Sequence, residues 1–152
     1  MKSIPADLLA RTRFSEKIAQ LLRNPGLARD SNCFGTLLYL LGYPEEQKSP
    51  VYVSPRIMQV MLPERFVEVP KTEPIITDDT AVFYEAGYLS HCGICVSTTR
   101  TSPVIFHQKG YGEDFGFSTP DTCMMDMDLD CFKFFRIRNR DALTGYSKSL
   151  KT

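Results

Sequence analysis

Three residues of the chain have the types and the placement that nucleophilic thiol chemistry needs. Cys33 stands where a polar loop passes into an apolar helical run, in RDSNCFGTLLYLLGY. His91 opens a strand-like run, SHCGICVS, and His107 closes the next one, PVIFHQKG. Only a thiolate attacks, and both the amides at a helix N-terminus and a neighbouring imidazole lower the pKa of a thiol. The pattern therefore predicts a cysteine hydrolase in which Cys33 is the nucleophile.

Each of these residues also has a purely structural explanation. A free cysteine in an apolar helix is often a small buried hydrophobe, and a histidine at a strand end is often a satisfied, half-buried ring. Cys33, however, falls in the first helical turn, where the amide dipoles converge, and not midway along the apolar face. Both histidines of the chain also fall at strand ends. The combination favours catalysis over packing alone.

Hydrophobic periodicity predicts helices in the first part of the chain. Residues 5–23 have the pattern of an amphipathic helix. Residues 33–42 are apolar almost all round, which indicates a buried helix that Ser31 or Asn32 can cap. A third, short helix is predicted from Ser54, which can cap a first turn that begins with proline.

Runs of β-branched and aromatic residues predict strands in the second part. Short links between successive runs favour antiparallel hairpins. RFVEV and FGF are candidates for shorter strands. The four main runs cover residues 80–87, 90–98, 102–110 and 131–139.

The order of these elements predicts a single α+β domain over residues 1–152. Its helical part covers about residues 1–62 and its sheet part about residues 63–140. We expect N-terminal helices packed on a central antiparallel β-sheet, since each element must bury its apolar face against another. This arrangement can set Cys33 over the strand that carries His91. Because neighbouring strands approach to roughly 5 Å, His107 can then orient His91 as the third member of a triad.

The spacing Cys92-Gly93-Ile94-Cys95 invites comparison with a zinc knuckle. In a strand, however, positions 92 and 95 point to opposite faces, whereas a knuckle needs both sulfurs on one side and a second ligand pair. We therefore expect no metal site in the chain and no cofactor. The five cysteines form no evenly spaced framework and are expected to be reduced.

Composition limits the partners that can be expected. Lys plus Arg is 18 and Asp plus Glu is 18, so no net charge attracts nucleic acid. The apolar runs are shorter than the roughly 20 residues of a membrane span. Charges in the first two dozen residues interrupt any signal-peptide core, so we expect the chain to be cytoplasmic or to be secreted without a cleavable signal. Oligomeric state is not readable from the sequence.

A cysteine at a helix start, a histidine on a strand and a third polar residue on the next strand resemble the NlpC-type papain-like cysteine peptidases and amidases. The similarity spans residues 30–138, and it rests on the order and spacing of short motifs. The closing run FFRIRN resembles the last strand of that fold. The motif counterparts are NCFG at residues 32–35, DDTAVFY at 78–84, HCGICV at 91–96 and VIFHQ at 104–108.

The resemblance implies a papain-like fold with Cys33 as nucleophile, His91 as general base and acid, and His107 as the third residue. It also implies a peptide or protein substrate, for which the stem peptides of bacterial peptidoglycan are one example. A small member without a signal resembles amidase effectors that bacteria inject into rivals or that act inside a host cell. It also resembles housekeeping hydrolases. The chain departs from the family at Asn32, in place of an acidic residue, and at Phe34, in place of a small serine.

Other functions remain open on the same residues. A thioester or acyl-enzyme also serves deamidation, transglutamination and acyl transfer, and the acceptor decides among them. The domain can instead be a non-catalytic interaction module that keeps the fold. In GYGEDFGF, Glu113 or Asp114 can meet a cationic substrate group, although a solvated turn is the simpler interpretation.

Overall fold

The protein is an α+β domain, as predicted. A computed structural model describes residues 7–43 and 47–138. The helices are α1 (Ser15–Arg23), α2 (Cys33–Leu41), α3 (Pro55–Arg65) and α4 (Pro120–Met127), and a turn of 3-10 helix covers Pro25–Ala28. The strands are β1 (Phe66–Glu68), β2 (Thr80–Glu85), β3 (Tyr88–Ser97), β4 (Val104–Gln108), β5 (Phe115–Ser118) and β6 (Cys131–Ile137). They form one antiparallel sheet in the order β1-β6-β2-β3-β4-β5.

The sheet separates two hydrophobic cores, because successive strand residues point to opposite faces. The front core joins α1, α2 and α3 to one face of the sheet, where Val82, Ile94 and Phe106 are buried. The back core lies on the other face, where Phe83 and Ile105 pack with residues of α4.

Helix α2 is buried along its whole length, as its apolar composition predicts. Asn32 caps its N-terminus by accepting a hydrogen bond from the amide of Gly35. Gly42 ends it in the left-handed conformation, at φ 78°, which glycine adopts without a steric penalty.

Helix α1 is shorter than predicted. Residues 7–14 form turns and bends and not helix, and residues 5 and 6 of the predicted helix lie outside the described residues. The Thr12 hydroxyl donates to Oδ1 of Asp78 at 2.6 Å, and the amide of Arg13 donates to Oδ2 of the same carboxylate. These long-range bonds draw the segment toward the start of β2, so tertiary contacts override its helical periodicity.

Helix α4 was not predicted, although its start carries a recognisable signal. Thr119 accepts a hydrogen bond from the amide of Thr122, and Pro120 occupies the first helical position. The acidic run at residues 126–130 contains the end of this helix and the buried Leu129. The error matters because α4 carries the buried Cys123.

The strand predictions differ from the structure mainly at their ends. Strand β3 begins at Tyr88, so His91 lies inside the strand and does not open it. RFVEV and FGF lie in the short outer strands β1 and β5. Residue 139 of the predicted last strand lies outside the described residues. Among the helices of the described residues, none is long and apolar enough to cross a membrane.

Candidate functional site

Cys33 is the first residue of α2 and is only 7% exposed. The first amides of a helix have no acceptor within the helix itself. Asn32 satisfies the amide of Gly35, so the amides of Cys33 and Phe34 are the ones that can face a developing negative charge beside the sulfur.

Hydrogen bonds connect the start of α2 to the segment at residues 51–53. The Asn32 side chain donates to the carbonyl of Val53 at 2.7 Å and accepts from its amide at 3.1 Å. A Cβ atom at Gly35 would overlap the carbonyl of Val51, so only glycine permits this close approach. The amide side chain of Asn32 therefore has a structural use, since it supplies a donor that a carboxylate lacks.

The side chain of Gln108, in β4, connects this strand to the same helix start through hydrogen bonds. Its Nε2 donates to the carbonyls of Ala28, Ser31 and Glu113, at 2.8, 3.0 and 3.0 Å. Its Oε1 accepts from the hydroxyl of Thr36 in α2 at 2.7 Å. Because Gln108 follows His107 in the chain, these bonds fix the helix start relative to that histidine.

His91 and His107 lie together on the back face of the sheet. Nε2 of His91 is 2.8 Å from Nδ1 of His107, and their rings meet edge to face. Gly93 makes this approach possible, because its missing side chain would lie 3.1 Å from Cβ of His107 and 2.9 Å from Cδ1 of Ile105. The sequence predicted the juxtaposition of the two histidines but not the role of this glycine.

Cys33 reaches His91 near the end of the β3–β4 pairing. The paired register of the two strands ends at Ile94 and Phe106, although β4 continues to Gln108. Beyond this point Cys92 and the ring of His91 are the neighbours that lower the pKa of the Cys33 thiol. The Cys92 thiol donates to the Cys33 carbonyl at 3.4 Å. The structure thus places Cys33 near His91, and His91 in contact with His107.

Electrostatics favour an ion pair between Cys33 and His91. Burial raises the pKa of the Cys33 thiol, but hydrogen bonds from Cys92 and His91 and the positive charge of His91 outweigh burial and lower this pKa to about 5. Burial lowers the pKa of His91, whereas interactions with Cys123 and Cys33 outweigh burial and raise it to about 9. At a pH between about 5 and about 9, Cys33 is therefore a thiolate while His91 is an imidazolium.

His107 is the neutral partner of this pair. Burial, together with repulsion from His91 and Lys109, lowers the pKa of His107 to about 3. A neutral ring beside an imidazolium must accept, so Nε2–H of His91 donates to Nδ1 of His107. The proton of His107 is then on its own Nε2.

Two further cysteines contact this group, and the sequence interpretation missed both contacts. Cys92 lies against Cys33 on the front face, and burial raises its pKa well above 9. The sulfur of Cys123, in α4, is 3.9 Å from each ring nitrogen of His107 and lies within 4.8 Å of a ring nitrogen of His91. The capping signature at Thr119 and Pro120 is the signal that would have placed Cys123 in a helix.

The other motifs considered in the sequence have structural roles. Phe34 is buried in the front core and packs beneath the helix start. Cys92 and Cys95 belong to opposite cores, in the geometry that argues against a zinc knuckle, and all five cysteines are free. In the glycine-rich segment, Glu113 belongs to a turn that the amide of Lys109 closes by donating to the carbonyl of Asp114.

Comparison with families of known proteins, with curated proteins and with solved structures gave no match to the chain.

Proposed function

We propose that the protein is a cysteine hydrolase that cleaves an amide or peptide bond, with Cys33 as nucleophile, His91 as general base and acid, and His107 as the residue that orients His91. One observation carries the proposal: Nε2 of His91 lies 2.8 Å from Nδ1 of His107, and the same His91 ring is the neighbour that lowers the pKa of the thiol at the start of α2. Nucleophile, base and orienting group in series are the arrangement that activates a weak nucleophile.

The proposed reaction proceeds through a thioester. The Cys33 thiolate attacks the carbonyl carbon, and the new carbon–sulfur bond displaces electrons onto the carbonyl oxygen. When the carbon–nitrogen bond breaks, the leaving amine takes the proton of His91. A water molecule then gives a proton to His91 and attacks the thioester, which releases the acid and restores the thiolate.

The backbone amides of Cys33 and Phe34 are the proposed donors to the oxyanion. They belong to the first turn of α2, and the helix dipole favours negative charge there. Gln108 is not such a donor in this proposal, because its Nε2 already serves three carbonyls.

The papain-like fold of the NlpC type is part of the same proposal. The helix-start cysteine, the antiparallel sheet behind it and two histidines on adjacent strands support that assignment. A peptide substrate, including peptidoglycan stem peptides, follows from the fold assignment.

Thiol reactivity tests the proposal directly. Iodoacetamide at pH 6 should alkylate Cys33 of the unmodified protein much faster than it alkylates the exposed Cys131. Peptide mass spectrometry measures both rates in one sample, and Cys131→Ser is the matched control variant. A Cys33 that reacts no faster than a cysteine in a short unstructured peptide would overturn the proposal.

Turnover distinguishes hydrolysis from transfer. Purified cell-wall fragments test for amidase activity, and protein glutamines with and without an added amine test for deamidation and transglutamination. Cys33→Ala should abolish whichever activity is found, and a Cys33→Ala protein that retains turnover contradicts the assignment of the nucleophile.

A further inference from the structure

Three side chains on the back face form a cluster that does not include the sulfur of Cys33. His91, His107 and Cys123 each present one ligand atom, and these atoms lie within 4.8 Å of one another. All three residues are buried. They come from β3, β4 and α4, so the fold and not sequence spacing brings them together.

The separations of the ligand atoms are close to those of a tetrahedral metal site. Zinc binds imidazole nitrogen at about 2.0–2.1 Å and thiolate sulfur at about 2.3 Å, so its tetrahedral edges are about 3.3 Å between nitrogens and about 3.6 Å between nitrogen and sulfur. The corresponding distances here are 2.8 Å between Nε2 of His91 and Nδ1 of His107, and 3.9 Å from that Nδ1 to the sulfur of Cys123. These two separations differ from the tetrahedral edges by about half an ångström or less, and the ligand atoms of His91 and Cys123 lie within 4.8 Å of each other.

We propose that His91, His107 and Cys123 bind a thiophilic divalent metal ion of the zinc class. Two imidazoles and one thiolate suit zinc and exclude the hard cations calcium and magnesium, which require oxygen ligands. The Cys123 thiol loses its proton as the metal–sulfur bond forms, and the proton between the two rings leaves. A fourth position stays open to water, as in zinc sites with three protein ligands.

Metal occupancy and thiol chemistry compete for the same imidazoles. A metal on Nε2 of His91 and Nδ1 of His107 replaces the hydrogen bond that orients His91. This consequence rests on the proposed function, whereas the metal site itself does not. If both hold, zinc lowers the reactivity of Cys33 without binding its sulfur.

The binding experiment uses the full chain and zinc alone, in competition with a chromophoric chelator. The unmodified protein should bind one equivalent. Cys123→Ser should weaken binding more than about 100-fold, because loss of an outer partner of a metal ligand already costs about 10–100-fold. Cys33→Ser and Cys131→Ser are the matched controls and should change affinity less than about tenfold.

Cobalt spectra supply a measurement that is independent of the stability of the Cys123 variant. Cobalt in the Cys33→Ser protein should show a sulfur-to-metal charge-transfer band and the intense visible bands of tetrahedral coordination. Circular dichroism checks that each variant is folded. Absence of stoichiometric zinc binding, absence of the sulfur band, or an equal loss of affinity in Cys33→Ser would each overturn the site.

Failure of the metal proposal and failure of the proposed function give different results. If the protein binds zinc through Cys123 but Cys33 is unreactive, the metal-site proposal is supported and the hydrolase proposal is overturned. A reactive Cys33 without zinc binding gives the opposite result. Only if both hold should one equivalent of zinc suppress alkylation of Cys33 and a chelator restore it.

Discussion

At the scale of single residues, the two histidines have different proposed roles. His91 contacts the nucleophile, whereas His107 contacts only His91 and Cys123 among these groups. His91 is therefore the proposed catalytic residue and His107 the positioning residue.

Substitution of each histidine should distinguish the catalytic role of His91 from the positioning role of His107. His91→Ala should lower turnover by about 10²–10⁴-fold, the usual contribution of a general acid–base group. His107→Ala should cause a smaller loss and should lower the upper pKa of the pH profile, because His91 loses the acceptor of its Nε2 proton. The pH dependence of hydrolysis measures this shift, which a purely structural role of His107 would leave unchanged.

The pH profile of the unmodified protein follows from the signs of the two shifts. Because the pKa of Cys33 is lowered to about 5, its alkylation rate should rise as pH increases through that value. Because the pKa of His91 is raised to about 9, the rate should stay level up to that pH, and hydrolysis should then decline as the general acid loses its proton. Alkylation that starts to rise only above pH 8 would contradict the ion pair.

At the scale of secondary-structure elements, the cap of α2 determines the surroundings of the sulfur. Asn32→Asp keeps an acceptor for Gly35 but loses the donor to Val53 and adds a negative charge beside Cys33. We expect this variant to raise the pKa of Cys33 and to slow its alkylation at pH 6. Asn32→Ala should destabilise the protein by about 1–2 kcal/mol, which denaturant unfolding measures. An unchanged pH dependence of alkylation in Asn32→Asp would show that the cap does not control the reactivity of Cys33.

Strands β3 and β4 approach each other at Gly93. Gly93→Ala should destabilise the protein by about 1–3 kcal/mol, because its Cβ would crowd His107 and Ile105. Gly26→Ala is the matched control, since a Cβ at Gly26 meets no atom within 4 Å. Thermal unfolding compares the two variants, and equal stability would contradict the close approach.

At the scale of the whole molecule, a partly buried ion pair joins β6 to the residue that precedes β2. Asp79 has a side chain that is 0% exposed, and Arg136 donates to both its oxygens at 2.9 Å. Removing one partner leaves a buried charge, so Arg136→Met should lower the free energy of unfolding by about 3 kcal/mol. Lys133→Met, on the same strand, breaks the exposed pair with Glu68 and should cost less than about 1 kcal/mol. Urea denaturation of both variants tests the difference.

The sequence by itself determined the α+β class, the buried helix that begins at Cys33 and most strands of the sheet. These features depend on local periodicity, caps and turn residues, which are written within short stretches of the chain. The identities of the nucleophile and the two histidines also came from residue types and their positions in elements, and their catalytic roles remain predictions.

Only the tertiary structure decided what surrounds those residues. It brought Cys123 from α4 to the histidines, set Gln108 between α2 and β4, and drew residues 7–14 out of helix through Asp78. These contacts join residues that are distant in sequence, so no local pattern encodes them. The physical reason is that packing and long-range hydrogen bonds, which depend on where whole elements meet, outweigh local propensities of a few tenths of a kcal/mol per residue, on the order given by helix scales.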